Sequence, residues 1–279
     1  MAEEKIITKS DVAKAYTAAG LKSGAIIMVN MAMKPIGRLE NGSDTLIEPL
    51  IDIVGPKGTI VMPTFTWYRM PTEFTKPILQ ENSPIWTGKV PERFLQYPGV
   101  KRDRHPHWSQ AYLGPLTESF IKINESELYG YGKEKTQYKI FENGGSTMMV
   151  ACDFSSCSCM YPVHDLMDLP YRLPLKKRRG RSVDDYMKLS PMEQYKAFDF
   201  ENEYYNLPTS NFAPIEGPLR TAGVLKEAPL GNSKVMHVYL KDLYKVMEDE
   251  HARNPGLLFV EKKVSPKLQK LAEEAKKKK

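Results

Sequence analysis

The sequence predicts an α/β fold: a central sheet, mostly parallel or mixed, with helices on both faces and one loop-rich excursion. Three apolar runs predict it. Ala25–Met31 reads as a buried strand, and Gly58–Met62 reads as a second one that follows an amphipathic helix. Strand, helix and strand in that order form a βαβ unit, in which the crossover helix covers a parallel pair. Ser146–Cys152 supplies a third buried strand.

The remaining elements are read in chain order. Ser10 is placed to cap a helix over Asp11–Ala19, which Gly20 ends. Ser43 and Asp44 open the amphipathic helix, where Leu46, Ile47, Leu50, Ile51 and Val54 recur at helical spacing before Gly55-Pro56 breaks it. The second strand runs into Pro63-Thr64-Phe65-Thr66-Trp67, a polar and aromatic loop beyond a carboxyl end, the edge at which open α/β sheets bind ligands. Tyr68–Ser109 is rich in proline, aromatic residues and charge, with a short helical stretch over Glu92–Gln96. A loop of that length is expected to cover a site. Further on, the pattern predicts a helix over Asp184–Phe198, a strand over Val235–Leu240 and a helix over Lys241–Ala252, closed by Asn254-Pro255-Gly256.

Composition narrows the function. The chain has 279 residues and a formal charge of +6, but residues 262–279 hold eight lysines and two glutamates, so the rest sums to zero. We therefore expect one domain over residues 1–261, a lysine-rich tail over 262–279 and no nucleic-acid partner. No apolar run approaches the ~18 residues of a membrane span, and three cysteines do not make a secreted disulfide framework. A cytoplasmic location follows as the expectation. No glycine-rich loop supports nucleotide hydrolysis or hydride transfer.

Four stretches, in order, resemble the aminoglycoside 3-N-acetyltransferase family over roughly residues 10–260. They are Pro35-Ile36-Gly37 with Asn41-Gly42 through to Thr66; Pro98–Arg102 through His105-Pro106, Ser109 and Leu113-Gly114-Pro115; the strand ending at Cys152 with His164 and Leu169-Pro170-Tyr171-Arg172; and Phe212–Ile215 with Ala222-Gly223. The resemblance implies an acyl-CoA-dependent N-acyltransferase with acetyl-CoA as donor. It departs where the family carries His-Ser-Ser, since Asn30-Met31-Ala32 stand there, and Ser158 replaces the aspartate usual six residues before the catalytic histidine.

Acyl transfer from a thioester to an amine needs a base for the amine proton and donors for the developing oxyanion. The resemblance assigns the base to His164, with Asp153, Asp165, Glu201 or Glu203 as the orienting carboxylate. Lys34, Pro35, Ile36, Gly37, Thr64, Phe65, Thr66 and Arg102 are the candidate contacts to coenzyme A. His105, Ser109 and Arg172 are those to the amine acceptor. His237 and His251 read as structural. Six cations between Arg172 and Arg181 point to an anionic partner, either the coenzyme phosphates or a nucleotide-linked amino sugar. Cys152, Cys157, Cys159 and His164 offer soft ligands or a thiol nucleophile, but their spacing is not a usual zinc pattern. No metal is expected. A zinc- or cysteine-dependent hydrolase on that loop is the rival, with a non-catalytic CoA-binding relative behind it.

Overall fold

The computed structural model describes residues 5–66, 83–106, 108–126, 133, 135–166, 182–190, 193, 211–254 and 257–258. Helix α1 spans Lys9–Ala18. Its cap is Thr8 rather than Ser10: the Asp11 amide donates to Thr8 Oγ1, and the Asp11 carboxylate receives the Thr8 amide, a capping box two residues upstream of the expected start. Strand β1 (Ile26–Met31), helix α2 (Asp44–Val54) and strand β2 (Thr59–Pro63) form the expected βαβ unit, with β1 and β2 parallel and Ile27 opposite Ile60. Ser43 precedes α2 but gives its hydroxyl to the Met33 sulfur, so the side-chain cap expected of it is absent.

The next elements are α3 (Lys89–Phe94), β3 (Lys101–Arg102), β4 (Gln110–Leu113), α4 (Thr117–Glu125), α5 (Thr136–Glu142) and β5 (Ser146–Val150). After them come α6 (Tyr161–Leu166), α7 (Val183–Met187), α8 (Glu216–Thr221), β6 (Lys226–Leu230), β7 (Ser233–Tyr239) and α9 (Leu240–Arg253). The helix expected over Asp184–Phe198 is interrupted. α7 stops at Met187, and Ser190 exchanges hydrogen bonds with Glu193 as a fresh N-cap ahead of Pro191. Residues 194–198 lie outside the described set, as does the tail over 262–279.

The seven strands lie in the order β3-β4-β2-β1-β5-β7-β6. Parallel pairing is confined to the centre, where β1 lies between β2 and β5; the other four pairings are antiparallel. The sheet is therefore mixed. Alternation within strands divides the core: Ile27, Val29, Met148 and Val150 pack under α1 and α2, while Met28, Met149 and Val238 pack under α4, α5 and α9. Each of these side chains is fully buried, which favours folding by roughly 1.5–3 kcal/mol apiece before conformational entropy is set against it. Helices thus cover both faces, as the sequence predicted. His237 belongs to this framework. It is 2% exposed, its Nδ1 lies 3.0 Å from the Ala19 carbonyl, and burial pushes its pKa down to about 4.

Among the described residues, no helix is long and apolar enough to cross a membrane.

Candidate active site at the carboxyl edge of the sheet

The carboxyl ends of β1, β2 and β5 reach one edge of the sheet, together with the starts of the antiparallel strands β4 and β7. Two constructions stand on that edge.

The first is a latch over the end of β2. It gathers Thr64, Phe65, Thr66, Arg102, His105 and Ser109, six residues predicted to contact ligands, and turns their polar atoms largely toward one another. The Thr64 amide donates to the Ser109 carbonyl at 2.9 Å, and Ser109 Oγ donates to the Thr64 carbonyl at 2.7 Å. Thr66 Oγ1 donates to the Pro106 carbonyl at 2.6 Å, and Phe65 meets Trp108 edge to face at 5.0 Å. The Arg102 guanidinium reaches the Thr64 carbonyl at 2.9 Å, the Ser83 carbonyl at 3.1 Å and Ser109 Oγ at 3.1 Å. His105 is fully buried, and its Nδ1 accepts the Trp108 amide at 3.0 Å. In this structure the imidazole of His105 and the fork of Arg102 hold the loop in place.

The latch has a hub that the sequence reading passed over. Asp103 is 2% exposed and accepts four hydrogen bonds: from the His105 and Gln110 amides, the Tyr112 hydroxyl at 2.7 Å and Asn124 Nδ2 at 2.8 Å. Burial raises its pKa to about 6, against the lowering effect of those donors. In the sequence it stands inside Lys101-Arg102-Asp103-Arg104, a charge run that reads as a solvated turn. A lone carboxylate among three cations was the one available signal.

The second construction is the loop leaving β5. Ala151 adopts φ +54°, the one non-glycine residue at positive φ among those described, and this turns the chain out of the sheet. Cys152 Sγ donates to the Asn30 carbonyl at 3.3 Å, and Asn30 Nδ2 donates to the Ser156 carbonyl at 2.9 Å, so the loop is tied to the end of β1. Asp153 is exposed and caps the following turn, its Oδ1 receiving the Ser155 amide at 2.9 Å. α6 then begins at Tyr161 and carries His164 and Asp165 in its backbone; their side chains lie outside the described set, as do Arg172, Glu201 and Glu203 altogether.

The cysteine array is split by packing. Cys157 and Cys159 are buried in the core, Cys159 against the Met28 sulfur at 3.4 Å and Cys157 against Thr147 Oγ1 at 3.8 Å, whereas Cys152 turns toward Asn30. Burial pushes the Cys152 thiol up to about 12 and Cys159 well above the ordinary thiol value, so both are held protonated. These packing contacts account for the three thiols without a shared ligand, and nothing in them favours the hydrolase reading.

On the β6 side of the same edge, Lys34–Ile36 form a single 3₁₀ turn that ends at Gly37, with φ +102°. Lys34 and Pro35 are exposed, Ile36 is buried, and the Ile36 carbonyl accepts the Asn232 amide at 3.0 Å.

A mixed open sheet whose loops converge on one carboxyl edge defines an α/β enzyme of the ligand-at-the-edge type. The family described as aminoglycoside 3-N-acetyltransferase matches residues 28–250. The chain is 26% identical over 218 residues to an SPbeta prophage-derived aminoglycoside N(3')-acetyltransferase-like protein, YokD, of Bacillus subtilis (strain 168), an alignment covering 71% of this chain and 78% of that one. Its fold is similar to the apoenzyme of aminoglycoside acetyltransferase AAC(3)-IVa, with TM-score 0.70, 19% identity and 92% of each chain covered. It is also similar to AAC-IIIb in its binary complex with CoASH, with TM-score 0.67, 22% identity, and 89% of this chain and 98% of that one covered. The chain belongs to the aminoglycoside 3-N-acetyltransferase family and is an N-acetyltransferase that uses acetyl-CoA as its acyl donor.

Proposed function

We propose that this enzyme acetylates an amino group on an amino sugar, with His164 as the general base. The observation that carries the reading is the placement of α6. The helix bearing His164 leaves the loop that follows the central strand β5, and Asn30 and Cys152 tie that loop to the end of β1. The segment that carries this histidine thus leaves the sheet at the edge where the parallel strands β1 and β5 end, and imidazole is the side chain suited to proton transfer near neutral pH.

When bound, acetyl-CoA supplies an acyl carbon already activated as a thioester. The chain's own residues do the rest. His164 takes the proton from the amine nitrogen, and a carboxylate holds its ring; Asp153, with Oδ2 left over after capping, and Glu201 or Glu203 are the candidates. Lys34, exposed and without an ion-pair partner among the described residues, suits a phosphate of the donor, and the backbone of Pro35, Ile36 and Gly37 suits close approach of its arm. The hydroxyls of Thr64 and Thr66 are already paired, so this loop contributes shape and the backbone of Phe65. Arg102 and Ser109 keep it there, and His105 sets its far side. Arg172, with the cations that follow it, favours an acceptor carrying negative charge, such as a nucleotide-linked amino sugar, over a polycationic aminoglycoside. Such a substrate places the enzyme in the cytoplasm.

A mass-spectrometric screen tests this, with acetyl-CoA offered alongside nucleotide-linked amino sugars and a panel of aminoglycosides. We expect one acceptor class to gain a single acetyl group. His164→Ala should lower kcat by about 10²–10⁴-fold while leaving coenzyme A binding intact. Full turnover by that variant, or acceptors that carry no amine, would overturn the proposal.

A further inference from the structure

Ser158, which stands where the resemblance expects an aspartate, is buried, and its hydroxyl donates to the Met28 sulfur at 3.2 Å. It is turned into the core and has no carboxylate to hold an imidazole. The task of placing His164 therefore falls to other groups.

The chain between β5 and α6 includes two short 3₁₀ turns, Phe154–Ser156 and Ser158–Met160, and the second runs directly into α6 at Tyr161. A helix of six residues has few hydrogen bonds of its own, so its direction is set by what grips the turn ahead of it. Two side chains grip carbonyls of those turns. Asn30, at the end of β1, gives Nδ2 to the Ser156 carbonyl at 2.9 Å. Tyr244, on α9, gives its hydroxyl to the Cys159 carbonyl at 2.9 Å, a buried bond between residues 85 apart in the chain. The Tyr244 ring is itself fixed, 4.7 Å from Phe141 and 6% exposed, and burial keeps its hydroxyl protonated and therefore a donor.

We infer that Asn30 and Tyr244 are positioning residues for acetyl transfer: by holding the Ser156 and Cys159 carbonyls they aim α6 and fix where His164 stands. The inference rests on His164 as the base, the reading given under Proposed function, and adds the groups that hold its helix. Leverage makes the bonds matter. Position 164 lies about 8 Å along the helix axis from Cys159, so a tilt of about 7° at the turn moves it by about 1 Å. Misplacement on that scale costs up to about 10²-fold in rate.

Two measurements on the full chain test this, using Asn30→Ala and Tyr244→Phe. Tyr16→Phe is the control, because it also removes one buried tyrosine hydroxyl from a carbonyl, that of Leu46 at 3.2 Å, away from α6. In NMR spectra of labelled imidazoles, the His164 resonance, assigned by its loss in His164→Ala, should shift in both variants and not in the control. With acetyl-CoA and a nucleotide-linked amino sugar as substrates, each variant should lower kcat on the order of 10-fold, with the KM for acetyl-CoA unchanged. Neither should lower the residual rate further when combined with His164→Ala. An unshifted His164 resonance, an equal loss in Tyr16→Phe, or an undiminished effect in the His164→Ala background would overturn the inference and leave the base assignment standing. Full turnover by His164→Ala would remove the base assignment and the inference with it. A wild type inactive on that acceptor would overturn only the reading of the substrate, and the NMR comparison would still decide whether the two residues place His164.

Discussion

The latch over β2 and a cleft of about 440 Å³ between α1 and β6, rimmed by Lys5, Asp11 and Lys14, lie on the same edge of the sheet, yet they treat polar groups in opposite ways. In the latch, Asp103, Arg102, Thr64, Thr66 and Ser109 are buried or half-buried, and they find partners within the latch and the residues around it at 2.6–3.4 Å. In the cleft, Lys5 and Lys14 are exposed and have no ion-pair partner among the described residues, with half of the Asp11 carboxylate also unused. Buried polar groups that satisfy one another contribute to the fold, and their removal leaves orphans behind. Exposed unpaired groups contribute almost nothing to stability and are available to a ligand. The difference therefore predicts which substitutions unfold the protein and which alter only what it binds.

The largest effect expected from that contrast falls on the hub. Asp103→Ala removes the acceptor of four donors at once, two of them backbone amides that cannot turn away. A loss of about 4 kcal/mol in unfolding free energy is expected from urea titration, against a change within about 0.5 kcal/mol for Lys14→Ala. Equal losses at the two positions would erase the distinction.

A second consequence concerns pH. The folded pKa of Asp103 is raised to about 6 from 3.8, because burial penalises the carboxylate more than its donors favour it. Between those values the folded protein holds the proton and the unfolded chain has lost it, so stability from this group is greatest below pH 3.8 and falls as pH rises through 6. The expected fall is about 3 kcal/mol, and it should vanish in Asp103→Ala. Glu227 works in the other direction: Arg220 and Lys234 hold its pKa down to about 2, so its contribution is present above 4.5 and is lost as pH falls through 2. The two windows overlap only slightly, which lets melts at pH 4 and 7 isolate the aspartate.

The two regions were also unequally legible in the sequence. The βαβ unit, the β5 run and the closing strand and helix are continuous apolar or periodic stretches, and each lies within a few residues of its predicted bounds. Strands β3 and β4 were missed because one has two residues, and the other, Gln110–Leu113, begins with a polar side chain. The α1 cap was misplaced because Ser10 is by residue type the better cap, and the reach of Asp11 back to Thr8 decides for Thr8. At the candidate site, the sequence pattern named residues that the latch gathers but could not show that Arg102 and His105 would be held by the latch itself. Pairing across 38 residues, as between Arg102 and Thr64, leaves no trace in local spacing.

One group breaks the rule within the latch and offers the smallest, sharpest test. Gln110 is fully buried opposite Pro63 in register. Its amide N–H serves Asp103, but among the described residues neither Nε2 nor Oε1 of its side chain has a hydrogen-bond partner. An unsatisfied buried carboxamide costs folding free energy, and an apolar residue of similar shape removes that cost without disturbing the backbone bond to Asp103. Gln110→Met should therefore raise the unfolding free energy by about 1 kcal/mol, opposite in sign to every other substitution of a buried latch residue. If the variant is instead destabilised by a comparable amount, the carboxamide has a partner in solution, an internal water being the simplest. The latch would then be fully saturated, and its contrast with the cleft would be sharper still.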